Sequence, residues 1–354
     1  MLSIDLLPEF GWSVQDEPVF GPGSVFQGFI RVRPDRQYQG DRIRLIFQGT
    51  ERPTPIESGP GVVERRPITT LFAVQQILWK SDGTASHPST FPFTIQMPMV
   101  QYPPAIDHPL YKCSFSLIAF LDGVDGKVIA SCHRPVLYQP FLETTMLKSP
   151  YVQPINDALA LQLDALDYCP GETITVRVRH KACLRQPPPA MTVLLELVQI
   201  GTVVAYQQGH GLTPKLTDVI ASSTTPILLD TKSTASCSLS IPVQAPPSLT
   251  FSQTFHISYQ LRVTLKKKQL LSSRIATFEL PITLGTLGYG VRAADSLQLY
   301  TLVDYKSVTP IFMRAIEYND TLPAYDPARL PSYDQTISLP HTPSTSSTLT
   351  YSST

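Results

Sequence analysis

Residues 111–120 read YKCSFSLIAF, and residues 255–264 read FHISYQLRVT. Both stretches alternate apolar and polar side chains with a period of two, which is typical of a β-strand with one buried face. The offset between positions 111 and 255 is 144 residues, so a strand of the same kind recurs in each half of the chain. This recurrence predicts two copies of one β-rich unit.

Further alternating runs occur from end to end of the chain. Examples are FQGFIRV at 26–32, RIRLIF at 42–47 and TITVRV at 173–178, and each ends near Gly, Pro or Asp. The stretch NDALALQLDAL at 156–166 fits a helix capped by Asn156 as well as an alternating strand, and we predict a strand. Many short strands separated by turn residues indicate an all-β protein of antiparallel, immunoglobulin-like β-sandwiches.

The amino-acid composition supports this fold class. The chain has 354 residues with 34 prolines and only 18 glycines, whereas an average chain has about 5% proline and about 7% glycine. Long helices do not tolerate that density of proline, because each ring removes a backbone donor and clashes with the preceding turn. A chain of this length normally forms two hydrophobic cores rather than one.

Ordered turn residues support a duplication. Gly23 precedes the strand at 26–32, and Gly171 precedes the strand at 173–178, at an offset of 148. Pro98 ends FPFTIQMP, and Pro242 lies in CSLSIPV, at an offset of 144. We therefore predict two tandem sandwiches, with the following limits: a first domain at 1–145, a linker at 146–157, a second domain at 158–319 with a core to about 285, and a disordered tail at 320–354.

Charge and cysteine content exclude some classes of protein. The 28 basic residues balance 28 acidic ones, so the basic surplus of a nucleic-acid-binding protein is missing and no nucleic-acid partner is expected. The five cysteines form no C-x-x-C pair, which favours a reducing intracellular compartment. The N-terminal stretch lacks a basic n-region, so we predict a cytoplasmic protein whose membrane contact is peripheral.

Sequence motifs of enzymes are not found. The glycines of GPGSVFQG at 21–28 lack the spacing of a phosphate-binding loop, and neither H-E-x-x-H nor G-x-S-x-G occurs. Cys132 and His133 are neighbours on a predicted strand, where adjacent side chains point to opposite faces. Cys113 and Cys237 fit small buried hydrophobic residues. We predict no enzymatic activity, no catalytic residues, no metal site and no cofactor.

The basic cluster Lys266-Lys267-Lys268 has two interpretations. It follows a predicted strand, so it fits a solvated hairpin tip that resists edge pairing. It would also serve as a contact for acidic lipid or for an acidic segment of a partner, at about 1 kcal/mol per lysine near a membrane surface. At that energy, three lysines alone do not anchor a protein to a membrane.

Two short motifs mark the C-terminal tail. The unit L-P-x-Y occurs twice, eight residues apart, in a segment that has no core to support: Leu322, Pro323 and Tyr325, then Leu330, Pro331 and Tyr333. Proline favours the polyproline II conformation, which docks in aromatic grooves such as those of WW domains at a low entropic cost. The usual WW ligand has a second proline where these motifs have leucine. Chance occurrence in a proline-rich linker is the alternative, since His108-Pro109-Leu110-Tyr111 has the same P-x-Y spacing before a strand.

These residues and motifs together resemble the arrestin family, specifically fungal α-arrestins. GSVFQGFIRV, RIRLIFQGTE and FPFTIQMP are similar to an arrestin N domain, whereas PGETITVRV, MTVLLELVQ and ELPITLG are similar to an arrestin C domain. The resemblance covers nearly residues 10–285. The tail motifs separate α-arrestins from relatives that lack them.

The resemblance implies a non-catalytic adaptor. Such a protein binds cytoplasmic parts of plasma-membrane transporters or receptors and recruits a WW-domain HECT E3 ubiquitin ligase, so that cargo is ubiquitinated and endocytosed. Only Leu322, Pro323, Tyr325, Leu330, Pro331 and Tyr333 are carried over as ligase contacts. The adaptor would be recruited to plasma membrane and endosomes and would itself accept ubiquitin, with Lys148 and Lys306 as candidate sites. The alternative is an arrestin-fold, retromer-like sorting-coat subunit or scaffold that acts without a ligase.

Overall fold

Alternating side chains form mainly antiparallel strands in the described part of the chain. The computed structural model describes residues 2–7, 13–14, 17–33, 40–54, 56–57, 63–64, 68–82, 89–155, 159–180, 190–204, 214–227, 234–267, 273–303 and 309–314. These ranges contain 24 strands and no helix, so the all-β prediction is confirmed. None of the described segments is a helix with the length and apolar character that a membrane span requires.

The first half of the chain forms one β-sandwich. Its strands are β1 (Leu2–Leu6), β2 (Ser13–Val14), β3 (Glu17–Phe20), β4 (Val25–Val32), β5 (Gly40–Pro53), β6 (Ile56–Glu57), β7 (Val63–Glu64), β8 (Thr69–Lys80), β9 (Thr90–Gln96), β10 (Val100–Gln101), β11 (Ile106–His108), β12 (Tyr111–Gly123) and β13 (Val128–Tyr138). One sheet contains β1, β4 and β9, and the other has the order β2-β3-β13-β12-β5-β8.

The second half repeats this arrangement. Its strands are β14 (Tyr151–Pro154), β15 (Leu159–Leu163), β16 (Asp167–Tyr168), β17 (Thr173–His180), β18 (Met191–Val203), β19 (Lys215–Ile227), β20 (Thr234–Ser240), β21 (Phe255–Lys267) and β22 (Ser273–Leu284). One sheet has the order β14-β15-β17-β20 and the other β16-β22-β21-β18-β19. The ambiguous run at 156–166 contains β15, so a strand was the correct choice.

The two sandwiches match strand for strand. The order β3-β13-β12-β5-β8 corresponds to β16-β22-β21-β18-β19, and in both copies the first pair is parallel whereas its neighbours are antiparallel. The recurring turns also match, because Gly23 and Gly171 both have positive φ, at 71° and 89°. Glycine reaches this left-handed conformation without steric cost.

Inward-facing side chains build the hydrophobic core. In the first sandwich it includes a run of aromatic rings, with Phe26 and Phe47 at 5.4 Å and Phe47 and Phe72 at 5.0 Å between centroids. The second sandwich buries mainly aliphatic chains such as Val193 and Leu261. The buried cysteines Cys113 and Cys237, each 2% exposed, are part of the same core, as expected.

Two short strands after the second sandwich pair with the first. β23 (Gln298–Leu299) runs parallel to β10, and β24 (Ile311–Met313) is antiparallel to β9. The sequence placed residues up to 319 with the second domain, and these two strands lie instead on sheets of the first half. Residues Met1–Ala315 form one compact unit. The tail from 320 lies outside the described residues.

Candidate functional site at the junction of the two sandwiches

The structure describes only part of the predicted site residues. Both L-P-x-Y motifs, at 322–325 and 330–333, lie outside the described residues. Lys266 and Lys267 lie within β21, where Lys266 is half-buried and pairs with Thr192 and Arg274 on the neighbouring strands. Lys268 is outside the described residues. The roles of these lysines and of the tail motifs stay predictions.

The third P-x-Y sequence is part of the fold. Residues 108–111 form the tight connection between β11 and β12, and Tyr111 is fully buried. His108 is only 7% exposed. Pro109 is exposed, but the buried Tyr111 is not accessible as the anchor of a peptide ligand.

A buried carboxylate joins the two sandwiches. Glu51, which is 2% exposed, lies on β5 and accepts a hydrogen bond of 2.8 Å from the hydroxyl of Tyr111 in the same sandwich. From the second sandwich it accepts bonds from Thr254 at 2.9 Å and Ser252 at 3.4 Å. Tyr300, in the segment that returns to the first sandwich, donates at 3.2 Å. We call these five residues the Glu51 cluster.

Hydroxyl groups alone satisfy this carboxylate within the described residues, where Glu51 has no ion pair. Each of the four hydroxyls is placed to donate to a carboxylate oxygen of Glu51. Burial raises the pKa values of Tyr111 and Tyr300, and both phenols therefore keep their protons. The cluster is a polar contact between three separate parts of the chain.

Aromatic packing surrounds the Glu51 cluster. The rings of Tyr111 and Phe255 stack with centroids 4.7 Å apart and an interplanar angle of 11°, and His108 packs on Phe255 at 4.8 Å. Gly201 on β18 admits this close approach, because a Cβ atom there would lie 2.6 Å from His108 Cε1 and 2.8 Å from Phe255 Cζ. The junction is therefore tightly packed as well as hydrogen-bonded.

A crevice of about 470 Å³ opens beside this contact. We call it the junction crevice; β3, β11 and β13 line it from the first sandwich, and β18, β19 and residues 243–247 line it from the second. Its wall carries three carboxylates, those of Glu17, Asp107 and Asp218, and no lysine or arginine among the described residues. A volume in this range is typical of ligand-binding sites.

His108 contributes a polar group to the junction crevice. Its Nδ1 accepts a hydrogen bond of 3.1 Å from the backbone N–H of Leu110, which places the proton of the neutral ring on Nε2. Burial lowers the pKa of His108, and Asp218 opposes that shift only in part. Among the described residues, Nε2 has no hydrogen-bond partner, so it is a free donor in the wall of the crevice.

The described residues contain no group of three or more His, Cys, Asp or Glu side chains placed to hold a metal ion. Cys113, Cys132, Cys169 and Cys237 are free thiols, and burial raises the pKa of each. Cys132 and His133 lie side by side on β13, with His133 exposed and Cys132 half-buried.

Sequence reasoning missed the Glu51 cluster, although one signal was present. In RIRLIFQGTE the inward positions of the strand continue from Phe47 through Gly49 to Glu51, so a charged residue occupies a core position. Its partners Ser252 and Thr254 carry no comparable signal. Hydroxyl residues that follow a proline-rich stretch fit an ordinary turn.

One comparison with known proteins gives a match. Residues 158–289 match the family model for the C-terminal domain of arrestin, or S-antigen. The matched range includes β15 to β22, the whole repeated strand order of the second sandwich, and amounts to less than half of the chain. No curated protein matches the chain. The domain match supports the arrestin family and suggests an adaptor role.

Proposed function

We propose that this protein is an α-arrestin-type adaptor that binds cytoplasmic segments of plasma-membrane transporters or receptors and recruits a WW-domain HECT E3 ubiquitin ligase through its tail. The observation that carries the proposal is the arrestin C-terminal domain match at 158–289, together with the same strand order in the first sandwich. A protein built from two such sandwiches offers extended sheet surfaces and a junction for binding a partner.

The ligase-binding part of the proposal depends on the two tail motifs. Leu322, Pro323 and Tyr325 form one motif, and Leu330, Pro331 and Tyr333 form the other. Proline presets an extended backbone, and tyrosine adds a large anchor with a polar tip. Once one motif is bound, the second engages at a high effective concentration, which offsets the weakening that leucine causes in place of proline.

A pull-down of the full chain with immobilised WW domains tests this step. We expect Tyr325→Ala and Tyr333→Ala each to weaken retention and the double variant to abolish it. Tyr351→Ala, which changes a tail tyrosine outside an L-P-x-Y unit, is the matched control and should bind like the parent. Unchanged retention of the double variant would remove the ligase from the mechanism and favour a scaffold that acts without one.

A gain-of-function variant makes the same test from the opposite direction. Leu322→Pro with Leu330→Pro turns both units into P-P-x-Y, so we expect tighter retention on the WW domains than for the parent chain. The same variant should increase ubiquitination of the adaptor in a reconstituted reaction with a WW-type HECT ligase. Lys148→Arg and Lys306→Arg then identify whether either candidate lysine accepts ubiquitin.

We also propose that Lys266, Lys267 and Lys268 contribute a peripheral contact with acidic lipid. Each lysine near an anionic surface adds about 1 kcal/mol, so the three assist recruitment by cargo and do not replace it. Co-sedimentation with phosphatidylserine vesicles measures this contact. Replacing all three with glutamate should reduce the bound fraction. An unchanged fraction would favour the other interpretation, in which the lysines form only a solvated hairpin tip.

A further inference from the structure

We propose that the junction crevice binds an extended basic peptide segment, and, on the basis of the adaptor function proposed above, that this segment belongs to the membrane cargo. The crevice has three features that such a peptide requires: an unpaired carboxylate for a cationic side chain, a free donor for its backbone, and an apolar surface between them. Each feature comes from different elements of the two sandwiches.

The charge of the crevice favours a cation. Glu17 pairs with Arg134 and Asp107 pairs with Lys112, whereas Asp218 has no ion pair among the described residues. Neither lysine nor arginine is among the described residues that line the crevice, so Asp218 is the one wall carboxylate without a cationic partner in the described part of the chain. An arginine side chain would meet Asp218 as a partner in a bidentate, charge-assisted hydrogen bond.

The free donor is an independent indication of a ligand. His108 is more than nine-tenths buried, and its Nε2–H has no acceptor among the described residues. An acceptor that enters the crevice can therefore take a hydrogen bond from Nε2. The carbonyl oxygen of a peptide backbone is such an acceptor and carries no charge that Asp218 would repel.

Apolar residues form the remainder of the lining. Val243 is 57% exposed and Leu137 is 37% exposed, and Pro104, Pro109, Pro246 and Pro247 lie around them. Exposed aliphatic side chains and proline rings form a surface on which an apolar side chain can be buried. A peptide that alternates basic and apolar residues therefore fits the crevice better than a small polar metabolite does.

Membrane proteins supply peptides of this kind. Their cytoplasmic loops carry an excess of lysine and arginine close to the membrane-spanning segments. The chain's own tail is not complementary, because the sequence of residues 316–354 contains Glu317, Asp320, Asp326 and Asp334 against Arg329 as its single lysine or arginine. Charge thus assigns the crevice to a basic partner segment rather than to the tail.

Fluorescence anisotropy with the full chain tests the proposal. The probes are a short labelled peptide that alternates arginine and valine and its counterpart with glutamate in place of arginine. We expect only the arginine peptide to bind, and Asp218→Asn to weaken it about tenfold, as for loss of one well-formed ionic contact. Asp125→Asn removes one carboxylate from the β12–β13 hairpin, away from the crevice, and should leave binding unchanged.

Equal weakening by Asp218→Asn and Asp125→Asn, or equal binding of both peptides, would overturn the proposal. A direct measurement at the site is the NMR signal of the His108 ring Cε1–H, which should shift on addition of the arginine peptide while the signal of exposed His133 stays in place. No shift at His108 would exclude the crevice even if the peptide binds elsewhere. His108→Phe keeps the ring packed on Phe255 but removes the donor, and should weaken binding several-fold.

The proposal and the ligase mechanism fail in different experiments. Asp218→Asn should still be retained by WW domains, and the Tyr325→Ala, Tyr333→Ala double variant should still bind the arginine peptide. Loss of peptide binding in both variants would show a general effect on the chain and would contradict a specific crevice site.

Discussion

The carboxylate of Glu51 on the first sandwich accepts a hydrogen bond of 2.9 Å from the hydroxyl of Thr254 on the second, across 203 residues of sequence. Tyr111, Ser252 and Tyr300 bring further hydroxyls to the same carboxylate. One buried acceptor therefore contributes to holding the two sandwiches together, beside the stacked rings of Tyr111 and Phe255. Its removal should affect the junction before it affects either core.

Glu51→Leu should lower the free energy of unfolding by about 3 kcal/mol, because it leaves several buried hydroxyls without an acceptor at about 1 kcal/mol each. Glu51→Gln keeps the shape and one carbonyl oxygen, and the hydroxyls can rotate to accept from its amide, so a smaller loss is expected. Urea unfolding measures both variants. Equal losses for Leu and Gln would show that packing volume, and not hydrogen bonding, decides the stability of this cluster.

Gly201→Ala should destabilise the junction by about 1 to 3 kcal/mol. The added methyl group would lie 2.6 Å from His108 and 2.8 Å from Phe255, which forces a shift in a tightly packed region. Gly288→Ala is the matched control, since its Cβ would have no atom within 4 Å. Thermal unfolding of the two variants compares them directly, and a Gly201→Ala variant as stable as Gly288→Ala would contradict the packing described here.

His108 makes the stability of the chain depend on pH. Burial lowers the pKa of its imidazole, whereas an unfolded histidine has a pKa of about 6.5. Below that value the unfolded chain binds a proton that the folded chain binds only at lower pH, so the free energy of unfolding falls as the pH falls from about 6.5 through the lowered pKa. Above the unfolded value the contribution is complete.

His108→Gln should reduce the slope of stability against pH in this window. Chemical unfolding at several pH values between neutral and mildly acidic measures the slope. His133→Gln changes an exposed imidazole on β13 and serves as the control. A parent slope that persists in His108→Gln would assign the pH dependence to another group.

Asp122 should act in a more acidic part of the pH range. This carboxylate, 1% exposed, accepts hydrogen bonds from Arg44 at 2.6 and 2.8 Å and from Arg42 at 2.9 Å, and the bond from Arg44 is the main cause of its lowered pKa. Its contribution to the free energy of unfolding is fully present above the unfolded-state pKa of about 3.9 and is lost as the pH falls through the lowered pKa.

Asp122→Asn should cost about 2 kcal/mol at neutral pH, as for hydrogen bonds to a charged group, and less as the pH falls into the acid range. Asp164→Asn breaks a more exposed pair with Arg177 and should cost less than about 1 kcal/mol. Denaturant unfolding at neutral and acid pH distinguishes the two. A cost for Asp122→Asn that does not change with pH would contradict the ionic origin of its effect.

The local pattern of the sequence predicted the strands but not their distant partners. The period-two alternation of residues 111–120 and 255–264 depends only on neighbours in sequence, so it identified β12 and β21 and their duplication. The pairing of β24 with β9 depends on residues far apart in sequence, and the short run Ile311–Met313 carries no mark of its partner. Neither the contact between Glu51 and Thr254 nor the junction crevice could be predicted from the sequence, for the same reason.

The chain enters and leaves the second sandwich at one place. The backbone N–H of Leu142 donates to the Thr286 hydroxyl at 2.9 Å, and the N–H groups of Thr286 and Leu287 donate back to the carbonyl of Leu142 at 2.9 and 3.0 Å. The second sandwich is therefore an insertion in the first, and the two ends of the insertion lie side by side. A gene fragment that ends after β22 would encode the inserted domain whole and leave the host domain without its last strands, so the two halves of this duplicated protein are not interchangeable parts.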